Sequence, residues 1–290
     1  MSILASAKKA SELTLENWIK ALLLGKSKTG KTEGSVTLPL VEEKPILHLA
    51  LTPRTRATLA GYPHVEILEI IEQQLETKKL VTGVQHNIVS EAWDKIYTVL
   101  TELWDIANSG KPFPYSGVVL DDSSTLNRYC MNFVLGLKTK KDGKIKETEK
   151  GIGGAPKWET HFVPHTMEMT KILAGLLIPL PCHIVVCGHY DVYTDDDTKL
   201  TLCQPAVYSR ALRSVMPSWF NEVYETTAKH DPKEGRERYF WTTFGSGQKD
   251  FLGSTMNKQN KIWKSPFEVE LDQKPAGFAK LAQLVAEAKK

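Results

Sequence analysis

Trp18-Ile19-Lys20-Ala21-Leu22-Leu23-Leu24 runs without a break into Gly25-Lys26-Ser27-Lys28-Thr29-Gly30-Lys31-Thr32. The first stretch, with one charge in it, reads as a buried strand, and the glycine after it marks a turn. The second has the spacing G-x-x-x-x-G-K-T. Its glycines let backbone N–H groups fold inward around an anion, and a helix starting at Thr32 adds the positive end of its dipole. In a loop of this kind Lys31 reaches the β- and γ-phosphates of a nucleoside triphosphate, and the Thr32 hydroxyl ligates Mg²⁺. Gly25, Lys26, Ser27, Lys28, Thr29, Gly30, Lys31 and Thr32 are therefore the candidate ATP-binding set, with Lys31 also the catalytic cation. The alternative, a chance match in a glycine turn, lacks the strand and helix that flank the loop here. Lys26 and Lys28 either add charge near the nucleotide or point to solvent.

Such a loop needs a carboxylate on a neighbouring strand to hold the metal's water shell. Gly117-Val118-Val119-Leu120-Asp121-Asp122-Ser123 supplies one. Asp121 ends an apolar strand, where ligands collect in α/β sheets, and is the candidate metal residue beside Thr32. Asp122 is either the base that orients the attacking water or the N-cap of the helix that follows. His189 follows the buried run His183-Ile184-Val185-Val186-Cys187 and Gly188. In that place it would lie beside the γ-phosphate and next to the loop's strand, as a sensor feeding the segment after it; an ordinary loop histidine is the other reading.

Further strands are expected at Ile46–Leu51, Val65–Ile71, Glu222–Thr227 and Tyr239–Thr243, and a hairpin at Tyr190–Leu202 with Asp195, Asp196 and Asp197 at its turn. Helices are expected at Thr32–Leu38, stopped by Pro39, and at Ser123–Leu137, His165–Leu177 and Gly277–Lys290. Apolar residues from Ile88 to Ala107 repeat every 3.6 residues and predict one more amphipathic helix. Strands alternating with helices imply an α/β fold, a mostly parallel sheet flanked by helices, with an antiparallel extension late in the chain. Residues 1–17 read as an N-terminal arm, 18–270 as the core, and 271–290 as a C-terminal helical tail.

The chain has 290 residues, of which 37 are basic and 34 acidic, for a net charge of +3. That balance is too mild to imply a nucleic-acid partner by itself. Residues 137–160 hold seven lysines against four acids, so the whole surplus sits in this stretch. It reads as a basic insertion, 138–157, that either neutralises phosphates of a nucleic acid or is a solvated lysine loop. Lys258 and Lys261 are candidates to complete a neighbouring subunit's site. Cys130, Cys182, Cys187 and Cys203 have no zinc spacing and read as free thiols in a reducing cytosol. The longest apolar run, about Ile172 to Pro181, is well short of the ~20 residues of a membrane span. A cytoplasmic protein with no membrane partner is expected.

The layout resembles the phage-encoded RecA-like P-loop proteins of the AAA-24 type, which include Sak-type single-strand annealing ATPases. The matching features are WIKALLL running into GKSKTGKT, the short helix before ILHLAL, and YSGVVLDDSSTL. PLPCHIVVCGHYDVYTDDDTKLTLCQPAV and FNEVYETT followed by RYFWTTF complete them. The resemblance covers about residues 18–270. It implies a RecA-like ATPase core using ATP and Mg²⁺, action on single-stranded DNA, self-association with ATP near subunit interfaces, and phage recombination or replication proteins as partners. It also implies host bacterial cytoplasm as the location. RecA-like proteins usually carry a glutamate just after the strand equivalent to ILHLAL; here Leu51-Thr52-Pro53-Arg54 follows. That departure shifts the base to Asp122, or implies weak turnover. An ATP-dependent switch or assembly protein is the alternative function.

Overall fold

The computed structural model describes residues 18–80, 83–89, 91–135, 158–194, 201–245, 249 and 251–289. The N-terminal arm, the basic insertion at 138–157 and the triple-aspartate turn lie outside these residues.

In chain order the first half comprises β1 (Lys20–Gly25), α1 (Lys31–Ser35), β2 (Ile46–Ala50), α2 (Thr55–Leu59), β3 (Val65–Glu69), β4 (Gln73–Leu80), β5 (Gly83–Val89), α3 (Ala92–Asn108), β6 (Gly117–Asp121) and α4 (Ser123–Val134). The second half comprises α5 (Val163–Thr170), which has wider π-type turns on either side, β7 (His183–Gly188), β8 (Tyr190–Thr194), β9 (Thr201–Pro205) and α6 (Arg210–Val215). It ends with β10 (Glu222–Asp231), β11 (Arg236–Thr242), β12 (Gly253–Ser254), β13 (Phe267–Val269) and α7 (Gly277–Ala288).

The main sheet has the order β13-β11-β10-β1-β7-β6-β2-β3, with β12 also paired to β10. The six strands from β10 to β3 are mutually parallel. β11, β12 and β13 pair antiparallel and form the extension. β7 therefore stands between β1 and β6. Asp121, expected on a strand neighbouring the loop's strand, lies one strand further away, because β7, arriving later in the chain, inserts between them.

Parallel strands covered on both faces read as unbroken apolar runs, and β1 shows why. Leu22 and Leu24 pack into one core with β6 residues Val118 and Leu120 and with Trp93, Ile96 and Leu100 of α3. Ala21 and Leu23 face the opposite core with Val119, Val185 and Cys187. Truncating a fully buried leucine such as Leu22 to alanine costs about 2–5 kcal/mol in cores of this kind. The α7 helix belongs to the second core: Phe278 is fully buried, with its ring 4.7 Å from that of Trp241.

Two expectations need correction. The helix expected from Ile88 starts at Ala92, because Ile88 and Val89 pair with Gln74 and Gln73 in the β4–β5 hairpin. The helix after the phosphate loop ends at Ser35, ahead of Pro39. No helix among the described residues is long and apolar enough to cross a membrane.

Candidate nucleotide-binding site

β1 delivers Gly25 to the C-terminal edge of the parallel sheet, and the loop returns through Gly30 into α1. Gly25 packs so closely on β10 that a Cβ there would lie 2.2 Å from Thr226 Oγ1 and 2.5 Å from its carbonyl oxygen. Gly30 has φ +76°, a left-handed backbone, with the Tyr239 ring against it. These two contacts explain the two fixed glycines of the spacing. Thr29 Oγ1 donates to the Lys26 carbonyl at 2.8 Å and lies 2.7 Å from Thr226 Oγ1, which ties the loop to β10. Ser27, Lys26 and Lys28 are exposed.

Lys31 is buried, and its ammonium donates to the carbonyls of Gly25 at 2.9 Å and Lys26 at 2.6 Å. Burial lowers its pKa, and the Asp121 and Asp122 carboxylates act in the opposite sense. Thr32 Oγ1 donates to Asp121 Oδ2 at 2.7 Å. Burial raises the Asp121 pKa, while the hydrogen bond from Thr32 lowers it. A hydroxyl and one carboxylate meeting at the mouth of a phosphate loop form a hard, all-oxygen pair. Mg²⁺ takes one or two carboxylates plus substrate phosphates and waters, so these residues fit it. No cluster of three or more His, Cys, Asp or Glu residues that would cage a metal exists among the described residues.

Asp122 caps α4: the Thr125 amide donates to its Oδ1 at 2.6 Å. Its other oxygen lies 4.0 Å from His189 Nε2. His189 Nδ1 lies 2.9 Å from the Gly25 carbonyl, which can only accept, so Nδ1–H donates there and Nε2 is the nitrogen that faces Asp122. Asp122 thus fills the capping role and still presents one oxygen to the cavity. His189 touches the phosphate loop itself and leads directly into β8.

A cavity of about 660 Å³ joins the loop to Asp121, Asp122 and His189, and it is also lined by Thr52, Arg54, Glu237 and Tyr239. Glu237 and Tyr239 were not singled out as site residues from the sequence. A second cavity, about 310 Å³, shares Glu33, Glu237 and Tyr239 with the first and extends to Tyr62 and Asp272. Burial raises the Glu33 pKa. Glu33 and Glu237 are the other carboxylates among the residues lining the large cavity, and the segment that follows β2, Leu51-Thr52-Pro53-Arg54, carries no acid. Lys258 and Lys261 are not among the residues lining the large cavity. The four cysteines are buried free thiols, and burial pushes the Cys187 thiol far above its ordinary range.

The model of the AAA_24 family, described as an AAA domain, matches residues 17–249. No curated protein matches the chain in sequence. Among solved structures, the flagellar accessory protein FlaH from Methanocaldococcus jannaschii is 8% identical, with 87% of this chain and 84% of that one covered and a TM-score of 0.35. The RadB recombinase is 9% identical, with 77% and 79% covered and a TM-score of 0.36.

Proposed function

The chain belongs to the AAA_24 family of AAA domains, and from that premise we propose that it is a Mg²⁺-dependent ATPase whose turnover answers to single-stranded DNA. The observation that carries the ATPase reading is the convergence of Lys31, Thr32, Asp121, Asp122 and His189 on one cavity at the end of the parallel strands.

The triphosphate lies along Gly25–Thr32, and Lys31 exchanges its two loop carbonyls for phosphate oxygens. Thr32 and Asp121 would hold Mg²⁺, which would supply positive charge to the phosphate oxygens. Asp122 Oδ2 and His189 Nε2, 4.0 Å apart, are spaced to hold one water between them and orient it for attack. The nucleoside occupies the second cavity, with its base against Tyr62 and Tyr239. Because Gly25 O accepts from both Lys31 and His189, a change at the phosphate reaches His189 and then the β8–β9 hairpin.

Single-stranded DNA as the partner, self-association, and a place in phage recombination or replication are supported by the family resemblance and by the lysine-rich stretch at 138–157. A slow-turnover switch is the second reading, favoured by the lack of an acid in Leu51-Thr52-Pro53-Arg54 and by the involvement of Asp122 in a helix cap. Phosphate release from ATP with and without single-stranded DNA, at two salt concentrations, tests the choice. Salt-sensitive stimulation supports the DNA-linked ATPase. Slow release that DNA leaves unchanged, with ATP still bound, supports the switch.

A further inference from the structure

His48 sits in the middle of β2 with no solvent exposure. Its backbone partners are Val119 on β6 and Ile67 on β3. Neither ring nitrogen has a hydrogen-bond partner among the described residues. A buried donor or acceptor without a partner is unfavourable, and most buried polar groups avoid that state. Burial also drives the His48 pKa down to about 3, so the ring is neutral and carries one N–H.

The ring does have a polar neighbour, slightly out of reach. Asp121 Oδ2 lies 3.9 Å from His48 Nε2, too far for a hydrogen bond. The register explains the approach: Ala50 pairs with Asp121 and His48 with Val119, so His48 and Asp121 are diagonal neighbours on one face of the sheet. The same Oδ2 is now engaged by the Thr32 hydroxyl at 2.7 Å. In the reading above, Thr32 turns that hydroxyl's oxygen toward Mg²⁺.

We propose that His48 is a positioning residue for Asp121: when Thr32 turns to the metal, the carboxylate settles toward β2 and takes the Nε2–H of His48 in its place. The imidazole then fixes the carboxylate's orientation toward the metal's water shell, as partners behind metal-linked groups do. No proton is transferred; one hydrogen bond replaces another at the same oxygen. The inference rests on the Mg²⁺–nucleotide reading and adds to it a residue that makes no contact with nucleotide or metal.

The test is a Mg²⁺ titration of the binding of a fluorescent ATP analogue, with the affinity in EDTA as baseline. His48→Leu is expected to raise the Mg²⁺ midpoint about 10–100-fold while leaving the EDTA affinity unchanged. His48→Gln, whose amide N–H reaches close to the Nε2 position, is expected to stay within about threefold of the wild type. A His48→Leu midpoint equal to that of the wild type overturns the proposal. If that variant does not fold, the wild-type protein labelled with ¹⁵N-histidine decides: Mg²⁺ and ATP together should move the His48 Nε2–H signal downfield and slow its exchange, and an unmoved signal overturns the proposal. Wild-type nucleotide binding that ignores Mg²⁺ overturns the metal reading itself and this inference with it.

Discussion

Three histidines are built into the folded chain as neutral groups, and this makes acid the sharpest perturbation of its stability. His48, His165 and His183 are all buried. Burial lowers their pKa values from 6.5 to about 3, about 4 and about 4. Local bonding agrees. His183 Nδ1 accepts from the Ile19 amide at 2.9 Å, a bond that protonation would destroy. His165 Nε2 lies 3.2 Å from the Asn127 carbonyl, and its Nδ1 has no partner among the described residues. Because the folded pKa values lie below the unfolded ones, the unfolded chain binds more protons between about pH 4 and 6.5. Stability is therefore full above that window and falls as pH drops through it. At pH 5 each histidine removes about 2 kcal/mol, and together about 6 kcal/mol, relative to pH 7.5. That is comparable with the whole stability of many domains, about 5–15 kcal/mol. Asp121, whose pKa burial raises, works in the opposite sense. The assay is urea unfolding at pH 7.5, 6.0 and 5.0. His48→Leu should shrink the loss between pH 7.5 and 5.0 from about 6 to about 4 kcal/mol. A stability that is flat across this range, or a loss smaller than one histidine supplies, would refute the reasoning.

Asp122→Asn should keep the α4 cap and lose the base, so stability stays within a few tenths of a kcal/mol while phosphate release falls about 10²–10⁴-fold. Asp122→Ala should lose the same activity and, in addition, about 1 kcal/mol of stability on urea unfolding. Gly25→Ala places a methyl group 2.2 Å from Thr226 Oγ1. It should lower stability by about 1–3 kcal/mol and abolish detectable nucleotide binding by calorimetry. Tyr239→Ala should weaken ATP binding by about 1–3 kcal/mol, the value of one base stacked on an aromatic ring. Its affinity for tripolyphosphate should be unchanged, and an equal loss for both ligands would place the nucleoside elsewhere.

What could be read from the sequence was what is local. The placement of Lys31 and Thr32 follows from eight contiguous residues, and that of Asp121 from a strand of five, because each is set by spacing along one loop or one strand end. The parallel strands were legible because double burial demands continuous apolar runs, as in Leu22-Leu23-Leu24. The order of those strands was not, since the insertion of β7 between β1 and β6 depends on crossovers that leave no mark on composition. Ile88 and Val89 continued the helical period of α3 by coincidence and belong to a hairpin; its partner strand, Gln73–Leu80, has too few apolar residues to announce itself. Glu237 and Tyr239 line the cavity from the antiparallel extension, some 200 positions from the loop in sequence. Their role arises only from β11 pairing beside β10. His48 is one polar residue in a buried strand, and only the β2–β6 register brings it to Asp121.

Gly25–Thr32 and Asp121 are proposed above as one Mg²⁺-dependent nucleotide site. Isothermal titration of ATP into the wild type and into Lys31→Ala, each with Mg²⁺ and with EDTA, tests it most directly. The account predicts binding by the wild type that tightens with Mg²⁺ and is lost in Lys31→Ala, while the variant keeps the wild-type unfolding midpoint. Equal affinity in both proteins, or wild-type binding indifferent to Mg²⁺, would contradict it.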